Sequence, residues 1–146
     1  MKQLIILSAV IAFTLSANAQ KSAVYVKEDI AINGYDPVAY FTEGKPVKGS
    51  NNFTHHWNNA GWRFSNKNNL DSFTANPGKY APQFGGYCAY GMADGHKAPT
   101  EPDAFTIVNG RLYLNYNKQV QQLWLKDQSR LILAAEQNWP VLKDKE

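Results

Sequence analysis

Asn109-Gly110 stands between two alternating runs, Phe105-Thr106-Ile107-Val108 and Arg111-Leu112-Tyr113-Leu114, and nothing else in the chain restricts the fold as much. Both central residues of a two-residue hairpin turn need φ > 0, which Asn and Gly tolerate, so the dipeptide selects a tight hairpin and its register. That register puts Phe105, Ile107, Leu112 and Leu114 on one face, an apolar patch suited to pack on a helix. A second hairpin is expected over residues 51–65. There Phe53-Thr54-His55-His56-Trp57 leads into a polar Asn58-Asn59-Ala60-Gly61 turn and returns as Trp62-Arg63-Phe64. Alternation places Phe53, His55 and Trp57 on one face and Thr54 and His56 on the other, so the adjacent histidines cannot serve one ion.

Helices are expected around these hairpins. Asp36-Pro37 starts a short one that Gly44 and Pro46 close, with the carboxylate as its cap. Ser65 is placed to cap a helix over residues 66–75, where Leu70, Phe73 and Thr74 form an apolar stripe and Asn76-Pro77-Gly78 ends it. Asn117 is placed to cap the C-terminal helical region. Val120, Leu123, Trp124, Leu131, Ala134 and Ala135 keep helical spacing, as one long helix or as two broken near Asp127, up to Asn138-Trp139-Pro140. Short hairpins packed with helices and ending in a C-terminal helix or helix pair make a small single α+β domain.

Residues 1–19 read as a signal peptide and not as part of that domain. Lys2 supplies the positive start, Leu4 to Leu15 the apolar run, and Ala17-Asn18-Ala19 the small residues before a cut at Gln20. The run falls short of the roughly 20 residues a membrane span needs. The expectation is an exported protein, periplasmic or extracellular, with no membrane span after cleavage. Residues 20–31 form a leading arm with a weak strand over 23–26, residues 32–142 the domain, and residues 143–146 a charged tail. The net charge is +3, and no lysine or arginine cluster is dense enough for nucleic acid. Asn52-Phe53-Thr54 is a glycosylation sequon, relevant only to a eukaryotic export route.

A single cysteine, Cys88, cannot pair within the chain, although exported domains of this size often rely on disulfides. It lies in Pro82-Gln-Phe-Gly-Gly-Tyr-Cys-Ala-Tyr-Gly-Met-Ala-Asp94, with three glycines and three aromatic residues about it. Gly85 and Gly86 indicate positive φ or a close backbone approach beside the thiol. Met92 comes four residues after Cys88, so one helical turn would bring both sulfurs to one side, a geometry that Gly91 weakens. His55 is the favoured imidazole, with His56 and His96 behind it.

Gly34-Tyr35-Asp36-Pro37-Val38-Ala39-Tyr40-Phe41, Trp62-Arg63-Phe64-Ser65, Phe73 with Pro77 and Lys79-Tyr80, Pro82 to Ala89, and Leu112-Tyr113-Leu114-Asn115 together resemble the YHS domain family, and more narrowly its exported bacterial branch. The resemblance runs from about Ile32 to Leu142. It implies a small α+β domain with a metal-binding role. Shorter relatives open with Asp-Pro-Val-Cys-Gly-Met, whose cysteine is the obvious ligand. Ala39 stands at that place here, so this ligand does not carry over. The exported branch has its thiol in Gly-Gly-Tyr-Cys, which is Cys88 here, and in some members that position is selenocysteine.

These residues are compatible with three functions. A soft metal ion of the copper type could be held by Cys88 with His55 and Met92, because thiolate, thioether and imidazole suit Cu(I). Alternatively Cys88 is a redox-active thiol, stabilised by Tyr87, Tyr90 or the amides at Gly85-Gly86, with Arg63 or Lys79 as possible sources of charge and no resolving cysteine. In the third, the glycine and aromatic stretch lines a pocket for a small organic molecule or a protein partner. No hydrolase triad, phosphate loop or dinucleotide fingerprint is present, and turnover as an enzyme is not the favoured reading.

Overall fold

Four strands build the larger sheet of the computed structural model: β1 (Val26–Lys27), β2 (Ile30–Ala31), β3 (Ser50–Trp57) and β4 (Ala60–Phe64), in the order β1-β2-β4-β3. The structure describes residues 22–145, so the expected signal peptide and its cleavage point lie outside the described residues, as does Glu146. Asn58 and Asn59, both at positive φ, make a two-residue turn between β3 and β4. Ala60 and Gly61, expected in that turn, are already paired in the strand. Two left-handed asparagines match the twist of the strands and need no further residues. The half-buried residues of β3 are Ser50, Phe53, His55 and Trp57, as alternation predicts once a bulge between Ser50 and Thr54 is allowed for.

The leading arm is woven into the core. Val24 is 1% exposed, β1 and β2 pair antiparallel, and β2 lies parallel to β4 through Ile30 and Gly61. The observed strand is Val26–Lys27, at the end of the expected one.

Asp36 has a larger task than capping. Its Oδ1 accepts from the amides of Val38 (2.9 Å) and Ala39 (3.2 Å) at the start of α1 (Ala39–Thr42). Its Oδ2 accepts from Ser65 N–H, Ser65 Oγ and Asn69 Nδ2, each at 2.8 Å. Ser65 is thus committed to Asp36, and the cap of α2 (Lys67–Ala75) is Asn66, whose side chain accepts from Asn69 N–H at 2.8 Å. Pro77 then opens α3 (Pro77–Tyr80). Phe73, fully buried, meets the rings of Trp57, Trp62 and Phe64.

The Asn-Gly hairpin forms in the expected register as β5 (Phe105–Val108) and β6 (Arg111–Leu114), with Phe105 opposite Leu114 and Ile107 opposite Leu112. The expected face meets a helix through Phe105, whose ring lies 4.9 Å from that of Tyr40 in α1, and the opposite face packs on helices as well. Leu112 and Leu114 enter the core of the larger sheet, while Ile107 stays 37% exposed. Tyr113, pointing the opposite way, joins a second core made by α4 (Ala89–Ala93), α5 (Lys118–Leu125) and α6 (Gln128–Leu142). Its ring lies 5.3 Å from that of Trp124. Period-two alternation lets one strand, β6, serve two cores at once.

The C-terminal helix is a pair, broken at Asp127, and Asn117 caps the first member through Val120 N–H at 2.8 Å. The second continues through the expected stop to Leu142, with Pro140 inside it. Trp139 holds this last turn, its ring 6.2 Å from Phe84 and 6.4 Å from Tyr87. Tertiary contact here outweighs the hydrogen bond that proline cannot make.

Candidate functional site

The thiol sits where four chain segments meet: the glycine turn, α4, the loop after it and the end of β6. Phe84, Gly85 and Gly86 run in succession through positive φ (56°, 63° and 84°). At Gly85 a Cβ would collide with the Ala23 carbonyl, and the Gly85 carbonyl accepts from Tyr25 N–H at 2.8 Å. At Gly86 it would stand 2.5 Å from Ile32 Cγ2. The paired glycines therefore admit the leading arm, and their amides are not donors to the sulfur. Tyr87 works with them. Its Oη donates to the Ser22 carbonyl at 2.7 Å, and burial first, then the Tyr25 phenol, pushes its pKa up.

Cys88 is the N-cap of α4 and is 1% exposed. Its own amide donates to the Ala98 carbonyl at 3.0 Å. Its sulfur accepts from Gly91 N–H (3.4 Å) and Tyr116 N–H (3.2 Å), and it faces Asn115 Oδ1 at 3.5 Å, to which the S–H donates. Burial pushes the Cys88 thiol up from 9.0, and the amides of Gly91, Tyr116 and Tyr90 pull against that without reversing it. The resting group is a neutral thiol in a hydrogen-bonded cage, not the low-pKa thiolate of a fast nucleophile.

Asn115, to which sequence reasoning gave no role beyond the end of a motif, organises this cage. It is fully buried. Its backbone is held by Ala104 and Glu101, and its Oδ1 accepts from Tyr90 N–H at 3.1 Å as well as from the thiol. The Tyr90 amide can only donate, so it fixes which end of the carboxamide faces α4. The buried Nδ2 amino group is left with no hydrogen-bond partner, and of the buried side-chain nitrogens and oxygens among the described residues only Trp124 Nε1 shares that condition. A polar residue closing a β-strand, directly after alternating apolar residues, was the one sequence signal that could have marked it. Tyr90 and Tyr116 give their amides to the site and carry their rings at the surface, 36% and 49% exposed.

The other expected ligands are dispersed. His55 lies edge-on to Phe73, 6.3 Å between centroids, against the core of the larger sheet, and His56 is exposed. Met92 is on α4 one turn after Cys88, its amide donating to the Cys88 carbonyl at 2.9 Å, but it is fully buried within the helical core. His96, ranked below His55 by the sequence, is the imidazole the fold brings to α4. A Cβ at Gly91 would be 3.2 Å from His96 Nε2, so that glycine admits the ring beside the residue whose amide serves the sulfur. His96 Nδ1 is 3.6 Å from Asp94 Oδ2. Among the described residues, no group of three or more His, Cys, Asp or Glu side chains is placed to hold a metal ion.

Two open clefts border the site. One, of about 790 Å³, has Tyr25, Asp29, Asn58, Tyr87 and Ala98 in its walls. The other, of about 240 Å³, is lined by Trp57, Trp62, Phe84 and Trp139. Among the described residues no helix is long and apolar enough to cross a membrane. No protein-family model, curated protein or solved structure matches the chain.

Proposed function

We propose that this chain is an exported domain of the YHS type that holds one soft metal ion of the copper class on Cys88. The observation that carries the reading is the pair of main-chain amides, Gly91 and Tyr116, aimed at a buried sulfur. Amide donors to a sulfur favour its deprotonated form, and a metal-bound thiolate is tuned by hydrogen bonds of this kind. The order of sequence motifs supports the family, and the Leu4–Leu15 run with Ala17-Asn18-Ala19 supports export.

The residues fit the ion in part. Cys88 supplies the sulfur. His96 beside Gly91 is a nearer nitrogen donor than His55, which belongs to the other core. Met92 would have to leave the helical core to contribute. Because the free thiol is protonated at neutral pH, binding releases a proton, and retention strengthens as pH rises.

The test is an anaerobic Cu(I) titration of the full chain beside Cys88→Ser and His96→Asn, with desalting before the metal is counted. One equivalent retained by the parent, none by Cys88→Ser and a weakened load in His96→Asn are expected. Equal retention by parent and Cys88→Ser would remove the proposal.

A further inference from the structure

We propose that Cys88 and Asn115 form a site that keeps a singly oxygenated sulfur, a cysteine sulfenic acid produced by hydrogen peroxide. A lone thiol would not carry this. What carries it is the second buried group: Asn115 is fully buried, its Oδ1 touches the sulfur, and its Nδ2 has no acceptor among the described residues. A buried amide donor without a partner weakens the fold, so its presence beside a sulfur indicates an acceptor that the resting thiol does not supply. Tyr90 N–H prevents the carboxamide from turning over to relieve the amino group.

An oxygen on sulfur is such an acceptor. In the step, Cys88 gives its proton to solvent, a lone pair of the thiolate Sγ attacks one peroxide oxygen, the S–O bond forms and the O–O bond breaks. The departing hydroxide takes a proton back from solvent and leaves as water. Sulfur is oxidised by two electrons and peroxide is reduced by two. The new oxygen takes the hydrogen bond from Asn115 Nδ2, while the Gly91 and Tyr116 amides stay on the sulfur.

Two further features make this product persist. The chain has no second cysteine to condense with it, so the disulfide exit is closed within the molecule. Cys88 as a residue is 1% exposed, which admits a water-sized oxidant slowly and keeps larger thiols away. The leading arm contributes as well, since Tyr87, next to Cys88, is fastened to Ser22 and its ring lies 5.8 Å from that of Tyr25.

The metal-free full chain is exposed to hydrogen peroxide and monitored by intact mass and by ¹⁵N spectra of the side-chain amides. The parent is expected to gain one oxygen and stop, with the Asn115 NH₂ pair displaced on oxidation. Asn115→Leu, checked for folding by circular dichroism, is expected to proceed to two and three oxygens about ten-fold faster, the worth of one lost hydrogen bond. Parent chains that run straight to two or three oxygens would overturn the proposal, as would an Asn115 resonance that stays in place. Because no metal is added, these outcomes are independent of the copper titration.

Discussion

Asp36 and Asn115 are both buried to 0% exposure, each lies against one of the two cores, and their polar atoms are treated in opposite ways. Asp36, on the sheet side, receives five donors on two oxygens from three segments of chain. Asn115, on the helical side, has a filled oxygen and an empty amino group. A polar group kept for architecture is saturated, because every unpaired donor or acceptor in the interior weakens the fold. Spare hydrogen-bonding capacity beside a buried thiol is tolerated only at a cost in stability. Trp124 Nε1, the other buried side-chain polar atom without a partner among the described residues, also lies in the helical core, so the shortfall is concentrated on one side of the molecule.

The comparison can be broken most directly at its saturated end. Asp36→Ala strands five donors, among them the amides that begin α1 and the links to Ser65 and Asn69, and is expected to destabilise the fold by about 3–5 kcal/mol. Urea denaturation measures this, and a loss under about 1 kcal/mol would mean that water takes over the donors without difficulty. Asn115→Ala should cost less, about 1–3 kcal/mol, because it strands the Tyr90 amide and the thiol proton while removing an amino group that was already unpaired. If Asn115→Ala equals or exceeds Asp36→Ala in the same assay, saturation is not what separates the two centres.

The smallest effect sharpens the helical side through pH. Burial raises the Cys88 thiol above 9.0, so the folded chain holds its proton where the unfolded chain has released it. The resulting stability is complete below the ordinary thiol range and disappears as pH climbs through the raised value. Tyr40, Tyr87 and Tyr113, all raised above 10.0 chiefly by burial, extend the decline at higher pH. Thermal melts are expected to fall from about pH 9 upward in the parent. Cys88→Ser should lose the first part of that fall and keep the later part. An unchanged profile in Cys88→Ser would mean that the thiol ionises alike in folded and unfolded chains.

Much of the architecture is legible in the order of residues. Asn109-Gly110 specified its hairpin, Asn117 its helix cap, and alternation in β3 the half-buried set of Phe53, His55 and Trp57. These are short-range effects, decided by which φ a residue tolerates and which neighbouring amide its side chain reaches. Where two local solutions competed, long-range partners decided. Ser65 and Asn66 could each cap α2, and the choice was made by Asp36, 29 residues away, which claimed the serine hydroxyl. Pro140 should have ended α6, but Trp139 keeps the last turn docked on Phe84 and Tyr87.

The candidate site was legible in its centre and not in its surroundings. That Cys88 is solitary, set among glycines and aromatic rings, and one helical turn from Met92 is plain from the order of residues alone. Its partners are not. Gly85 and Gly86 have the positive φ and the close approach that the sequence indicates, but they admit Ala23 and Ile32 and give the thiol no donor, while His96 and not His55 is the imidazole near α4. Asn115 meets Cys88 across 27 residues. Residue order governs what each short segment prefers to do by itself. Which sulfur is sealed from water, and which amide beside it is left without a partner, is set only when distant segments close on one another, because burial belongs to the packed assembly and to no segment within it.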